Sequence, residues 1–234
     1  MIIGINGKIG SGKDTIGSII QYLTDENVKG MSFEDWYASN VYSVYQATGK
    51  WEIKKFAGKL KTTASLLTGI PVEKFEDQEF KKTNLGPEWD TELEYIIPMT
   101  VRELLQKLGT EAMRDGLHTN VWVNALFADY RSEHKKDKQI SLVDVSFDKS
   151  TLPNWIITDM RFPNELEAIV KRGGITIRVV RPGFMIDGKA IVKDLHPSET
   201  SLDNAKFDYE IINDGTIEDL IEKVREILIR EDIL

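Results

Sequence analysis

With 234 residues and 26.7 kDa, the chain holds one large domain or two small ones at roughly 150 residues per domain, and one domain with insertions is expected. A fold of this size buries roughly 70% of its unfolded surface, so the lack of cysteine is no structural handicap; it excludes a disulfide framework, a zinc ribbon, an iron–sulfur protein and a cysteine nucleophile. Hydrophobic residues at 41% and charged residues at 29% exclude a disordered chain, and 30 Lys and Arg against 38 Asp and Glu, a net charge of -8, exclude a protein whose main work is coating nucleic acid.

The chain opens on Ile2 to Asn6, a short apolar run stopped by Gly7, and Thr15 to Leu23 follows with Ile16, Ile19, Ile20 and Leu23 at helical spacing. That order is a strand, a glycine loop and a helix. The early glycines rule out a signal or transit peptide, and no apolar run approaches the roughly 20 residues that span a bilayer. A cytoplasmic protein with no membrane or nucleic-acid partner is therefore expected. From Lys29 to Lys50 the chain is aromatic and polar, with Phe33, Trp36, Tyr37, Tyr42 and Tyr45 near helical spacing, which predicts an inserted helical segment. Lys54 to Ala57 predicts a short strand end, and Lys59 to Leu67 a helix stopping at Gly69 and Pro71.

Thr100 with Glu103 predicts a capping box at the head of a long amphipathic helix carrying Val101, Leu104, Leu105 and Leu108 and ended by Gly116. Thr119 or Asn120 then caps a helix through Val121, Trp122, Ala125, Leu126 and Tyr130. Residues 131–153 predict a charged surface run followed by a hairpin or extended insertion. Trp155 to Thr158 predicts a buried strand ending in Asp159, Asn164 to Arg172 a helix, and Ile175 to Val180 another strand. A polar loop from Phe184 to Lys206 leads to a last strand, Tyr209 to Ile212, and Thr216 with Asp219 caps a final helix. Five short apolar strands alternating with helices predict a parallel sheet covered on both faces.

The strongest chemical signal is Gly7-Lys8-Ile9-Gly10-Ser11-Gly12-Lys13-Asp14-Thr15, between the first strand and the first helix. Glycines let several N–H groups face inward, the helix N-terminus adds partial positive charge, and Lys13 supplies an ammonium for the β- and γ-phosphates of a nucleotide. Gly10, Ser11, Gly12, Lys13, Asp14 and Thr15 are thus the predicted phosphate-binding residues. The position that usually carries Ser or Thr on magnesium is Asp14, and the hydroxyl is displaced to Thr15. This departure, with the absence of an Asn-Lys-x-Asp guanine signature, argues against a switch-type GTPase.

Asp159-Met160-Arg161 follows a predicted strand, so both charged side chains fall at the ligand-binding edge of an open α/β sheet. A carboxylate there can hold a magnesium-bound water, and a guanidinium can grip a phosphate bidentately. The structural alternative is that Asp159 caps the next helix and Arg161 pairs with Glu165. Arg181, after the next strand, is a further phosphate contact or a surface ion pair. Lys61, Lys82 and Arg102 are candidate anion contacts in the helical excursion, with solvated helix charges as the alternative, and Trp122 has the spacing of a core residue. His118, His134 and His196 lack metal-ligand spacing.

The stretches SGKDT, FAGKLK, VRELLQKLGTE, WVNALFADY, ITDMRFPNE, VVRPG and IINDGTIEDL, in this order, resemble the bacteriophage-type deoxynucleoside monophosphate kinases. The resemblance implies an α/β, P-loop, nucleoside-monophosphate-kinase-like three-layer fold with a five-stranded parallel sheet and helical insertions. It implies a single domain over 1–234, an acceptor-binding excursion at about 58–135, a mobile lid at 183–207 and a homodimer. It further implies transfer of the γ-phosphoryl group of ATP to a deoxynucleoside 5′-monophosphate, with Lys61, Lys82, Arg102, Gly109, Thr110 and Trp122 lining the acceptor pocket. Relatives can carry arginine at the position of Lys82; lysine keeps the charge and loses the fork.

The expected mechanism is in-line transfer without a covalent enzyme intermediate, by positioning and charge neutralisation. Lys13 and the loop amides hold ATP, Thr15 and Asp159 contact Mg2+ directly or through water, and Arg161 with Arg181 stabilises the moving phosphoryl group. Lys61, Lys82 and Arg102 orient the acceptor, and Trp122 covers the sugar or stacks on the base. Two alternatives stand beside this: a P-loop kinase for dephospho-coenzyme A or a nucleoside, and a non-catalytic ATP sensor using the aromatic segment at 33–45.

Overall fold

The computed structural model describes residues 1–28, 30–42, 50–92, 96–131, 152–183 and 200–234. In chain order the elements are β1 (Ile2–Gly7), α1 (Lys13–Thr24), α2 (Phe33–Tyr42), β2 (Trp51–Lys54), α3 (Phe56–Thr68), an antiparallel pair β3 (Thr91–Glu92) and β4 (Ile96–Ile97), and α4 (Val101–Gln106). There follow α5 (Val121–Phe127), β5 (Asn154–Ile157), α6 (Pro163–Val170), β6 (Ile175–Val180), β7 (Tyr209–Ile212) and α7 (Ile217–Arg230). Two compact units result, one from Met1–Lys55 with Tyr130–Leu234 and one from Phe56–Asp129.

The first unit is built on the expected five-stranded parallel sheet, in the order β2-β5-β1-β6-β7. Alternation along β1 sorts its side chains between two faces. Ile3 and Ile5 meet Ile16, Ile19 and Ile20 of α1 and Leu220, Val224, Ile227 and Leu228 of α7, with Phe33 and Trp36 of α2 in the same cluster. Gly4 points the other way, where a Cβ would lie 2.6 Å from Ile169 of α6. Each of these fully buried aliphatic side chains contributes about 1.5–3 kcal/mol, and together they fix a rigid sheet whose carboxyl edge carries the loops. β1 is central, with β5 on one side and β6 on the other, so the loop leaving Gly7 sits where the strand order reverses, the position at which α/β sheets bind ligands.

The second unit packs Ala64 of α3, Phe75, and Val101 and Leu104 of α4 into its own core. Its helix starts follow sequence in part. Thr100 and Glu103 form the full capping box, as Thr216 and Asp219 do for α7. Asn120 occupies the cap position of α5, but its side chain makes no capping bond and its N–H donates to His118 Nδ1 at 2.9 Å. That helix ends at Phe127 rather than reaching Tyr130. The strand expected over Lys54 to Ala57 lies at Trp51–Lys54 instead: buried Trp51 anchors it, and the apolar Phe56 and Ala57 begin α3.

Beyond α4, Lys107–Asp115 continues as a wider π-type helix, shown at its end by Gly116 N–H donating to the Glu111 carbonyl five residues back at 3.0 Å. The aromatic segment is helical through α2, while Tyr45, His134, most of 131–153, most of the expected lid at 183–207, and the stretch His196 to Glu199 lie outside the described residues. Among the described residues no helix is long and apolar enough to cross a membrane.

Candidate active site

The loop from Gly7 to Lys13 joins β1 to α1. Gly10 and Gly12 have φ of 76° and 102°, a left-handed conformation that glycine adopts without a Cβ penalty. A Cβ at Gly7 would meet Ser11 Oγ at 2.5 Å, and one at Gly12 would meet Asn213 Nδ2 at 2.6 Å. Lys13 is 8% exposed, and its ammonium donates to the Gly7 carbonyl at 2.6 Å and the Lys8 carbonyl at 2.8 Å. The buried Ser11 hydroxyl has no hydrogen-bond partner among the described residues. A buried polar atom of that kind is satisfied by a ligand or water, and beside an ammonium and a helix N-terminus the fitting ligand is a phosphate oxygen.

Around the loop, Asp14 accepts a hydrogen bond from the Thr158 hydroxyl at 2.7 Å and an ion pair from Lys55 at 3.2 Å. Partial desolvation opposes ionisation of Asp14, but the Thr158 hydroxyl, Lys55 and Lys13 outweigh it and hold the carboxyl below its ordinary range. Asn6, at the end of β1, donates to the Met160 carbonyl at 2.9 Å. Asp159 therefore sits between two residues tied to the loop's surroundings, Thr158 to the first turn of α1 and Met160 to β1. Arg161 stands at the head of α6, where buried Glu165 takes the Arg161 N–H at 2.7 Å and the Phe162 N–H at 3.0 Å. Arg181, just past β6, donates to the Gly10 carbonyl at 3.4 Å. Thr15 lies in the first turn of α1.

Among the described residues no group of three or more His, Cys, Asp or Glu could hold a metal ion. The Thr15 hydroxyl and the Asp159 carboxylate are hard oxygen donors of the kind that Mg2+ takes.

In the second unit Lys61 is nearly buried and pairs with Glu76 at 2.5 Å. Lys82 pairs with Glu79 at 2.8 Å, and Arg102 reaches Gln78 Oε1 at 3.4 Å. All three expected anion contacts thus converge on the four-residue stretch from Glu76 to Glu79. Gly109 and Thr110 lie in the π-type stretch, a distortion frequent at functional sites. The buried Trp122 donates its indole N–H to the Gly109 carbonyl at 2.8 Å, and a Cβ at Gly109 would lie 2.9 Å from Leu60.

Several groups around these sites carry no local sequence signature. Asn213 donates to the Ser11 carbonyl at 2.9 Å across 202 residues, and its only sequence signal was its place in the IINDGTIEDL stretch. Arg178 holds the segment leading to β7 by donating to the Leu202 and Asp203 carbonyls and covering the Phe207 ring at 4.3 Å, while Asp203 pairs with Lys8 of the phosphate loop at 3.3 Å.

Comparison with known proteins places this geometry in a lineage. A protein of Acanthamoeba polyphaga mimivirus that carries a deoxynucleotide monophosphate kinase name is 28% identical over 96% of this chain and 94% of its own length. The deoxynucleoside-5′-monophosphate kinase of Escherichia phage T5 is 24% identical over 91% of this chain and 89% of its own. The deoxynucleotide monophosphate kinase of Enterobacteria phage T4 is 31% identical over 55% of this chain and 45% of its own. The family model described as deoxynucleotide monophosphate kinase matches residues 72–224, well over half of the sequence, and the chain belongs to that family.

Proposed function

We propose that the chain transfers the γ-phosphoryl group of ATP to a deoxynucleoside 5′-monophosphate, giving ADP and the deoxynucleoside diphosphate. The observation that carries this is the phosphate loop, where a buried Lys13 ammonium lies on the Gly7 and Lys8 carbonyls beside a buried Ser11 hydroxyl that has no partner among the described residues. An acceptor phosphate oxygen attacks the γ-phosphorus in line as the bond to the β,γ-bridging oxygen breaks. The attacking oxygen is already anionic, so no general base is required.

Lys13, the Ser11 hydroxyl and the N–H groups of Gly10, Gly12, Asp14 and Thr15 would bind the donor phosphates, the Ser11 N–H being taken by the Lys8 carbonyl at 3.1 Å. Asp14, tied to Thr158 and Lys55, would fix the first turn of α1 beneath them. Arg161 and Arg181 would stabilise charge on the moving phosphoryl group. Thr15 and Asp159 would hold the Mg2+ that accompanies ATP, directly or through water, and that ion supplies neutralisation of phosphate charge.

Lys61, Lys82 and Arg102 would orient the acceptor's phosphate, taking it in exchange for their present partners between Glu76 and Glu79. Gly109, Thr110 and Trp122 would line the same pocket. A reducing cytoplasm suits a chain without cysteine. The test is ADP release, followed with a coupled assay, using ATP, Mg2+ and a panel of dTMP, dGMP, dCMP, dAMP, their ribose counterparts, dephospho-coenzyme A and free nucleosides. Turnover dependent on a deoxynucleoside monophosphate is expected. Turnover only with dephospho-coenzyme A or nucleosides, or ATP binding without acceptor-dependent turnover, would overturn the proposal.

A further inference from the structure

A phosphate loop binds anions only when its N–H groups point inward, so its carbonyls must find partners outside. Most of those partners are side chains, although the Lys8 carbonyl also accepts the Ser11 N–H at 3.1 Å and the Gly12 carbonyl the Ile16 N–H at 2.9 Å. Lys13 takes the Gly7 and Lys8 carbonyls, Arg181 takes that of Gly10, and Asn213 takes that of Ser11. Lys13 and Arg181 carry charges expected to turn to a phosphate; Asn213 is neutral, and its backbone is held by the sheet. It follows β7 directly, and its N–H donates to the Val180 carbonyl at 2.7 Å, which fixes its backbone to the end of β6. From there its carboxamide donates to the Ser11 carbonyl at 2.9 Å.

The Ser11 carbonyl and the Gly12 N–H belong to one planar trans peptide and point in opposite directions. Holding that carbonyl outward therefore turns the Gly12 N–H toward the hollow of the loop. The fit is close from the other side as well, since a Cβ on Gly12, whose φ is 102°, would lie 2.6 Å from Asn213 Nδ2. The absence of a side chain at Gly12 is thus matched to the presence of a carboxamide at Asn213.

We infer that Asn213 is a positioning residue for phosphoryl transfer: it aims the Gly12 N–H at the donor phosphates by clamping the Ser11–Gly12 peptide. This rests on the loop being the seat of the ATP phosphates. Its action is on the polyphosphate and not on the base, which gives it a distinctive signature. Asn213→Ala loses one neutral hydrogen bond, so KM for ATP should rise about fivefold while KM for the acceptor stays unchanged. Asn213→Asp should be worse, because a carboxylate would face the Ser11 carbonyl oxygen. Affinity for inorganic tripolyphosphate, measured by calorimetry, should fall by the same factor as affinity for ATP. Asn213→Ser, which shortens the side chain out of reach of the Ser11 carbonyl while keeping a polar group, should reproduce the pattern if Asn213→Ala fails to fold. Loss of ATP affinity with tripolyphosphate affinity intact would overturn the inference by assigning Asn213 to the nucleoside, and so would an unchanged KM for ATP. The underlying seat is checked separately: wild-type protein must bind tripolyphosphate and Lys13→Met must lose it, and failure there would overturn the seat itself.

Discussion

Lys13→Met separates catalysis from folding, because methionine keeps most of the length and apolar stem of lysine and removes only the ammonium. In the protein that ammonium makes bonds of 2.6 and 2.8 Å to the Gly7 and Lys8 carbonyls. Hydrogen bonds to a charged group contribute about 1.5–3 kcal/mol each, while holding an ammonium at 8% exposure costs several kcal/mol of desolvation. These effects oppose each other at similar size, so stability should change by about 1 kcal/mol or less, a shift in Tm of roughly 2–4 °C for a chain of this length. Catalysis has no such cancellation. Removing one preorganised donor from developing charge costs about 2.7–4 kcal/mol, or 10²–10³ in kcat. Coupled ADP release at saturating ATP and deoxynucleoside monophosphate, alongside a thermal melt, measures both. A kcat within about threefold of wild type, less than 1 kcal/mol in barrier, would refute the assignment of Lys13.

Asp14→Asn should lower the urea midpoint at neutral pH. The folded-state pKa of Asp14 lies below its ordinary value, so the wild-type advantage is present above the unfolded pKa and fades as pH falls below about 4. The carboxylate is exposed, which keeps the effect at about 1 kcal/mol or less; a difference that grows in acid would contradict it. Gly17→Ala, ordinarily a gain of about 1 kcal/mol inside a helix, should instead destabilise by about 1–3 kcal/mol in urea unfolding, because the new Cβ would lie 2.8 Å from buried Thr158. Phe75→Ala should cost about 3–5 kcal/mol by emptying the small core of Ala64, Val101 and Leu104. Acceptor-dependent turnover should then collapse while calorimetric tripolyphosphate binding persists; equal loss of both would count against separate donor and acceptor seats.

What the sequence made legible was local. Gly7 to Lys13 announces itself because glycines, a lysine and a strand-to-helix handover fall within a few residues, and the boxes at Thr100 and Thr216 depend on a partner three positions away. The π-type stretch was illegible because Val101, Leu104, Leu105 and Leu108 keep ordinary helical spacing. Its setting is tertiary: Gly109 packs close to Leu60, and its carbonyl takes the Trp122 indole. The strand lies at Trp51–Lys54 and not over Lys54 to Ala57, since four residues hold too little alternation to set a strand's ends. Asn213 and Ser11 meet only because β7 and β1 flank β6 in one sheet. The approach of Lys61 to Glu76 and of Arg102 to Gln78 likewise depends on the fold of the second unit, whereas Lys82 meets Glu79 three residues away.

In the proposed reaction one chain seats donor and acceptor phosphates so that a phosphoryl group passes directly between them. Its most direct test is the affinity of a bisubstrate analogue, adenosine joined through five phosphates to a deoxynucleoside, measured by calorimetry. Binding at least about 100-fold tighter than ATP alone, and lost in both Lys13→Met and Lys61→Met, is the predicted result. An analogue that binds no tighter than ATP, or that is indifferent to Lys61→Met, would contradict it.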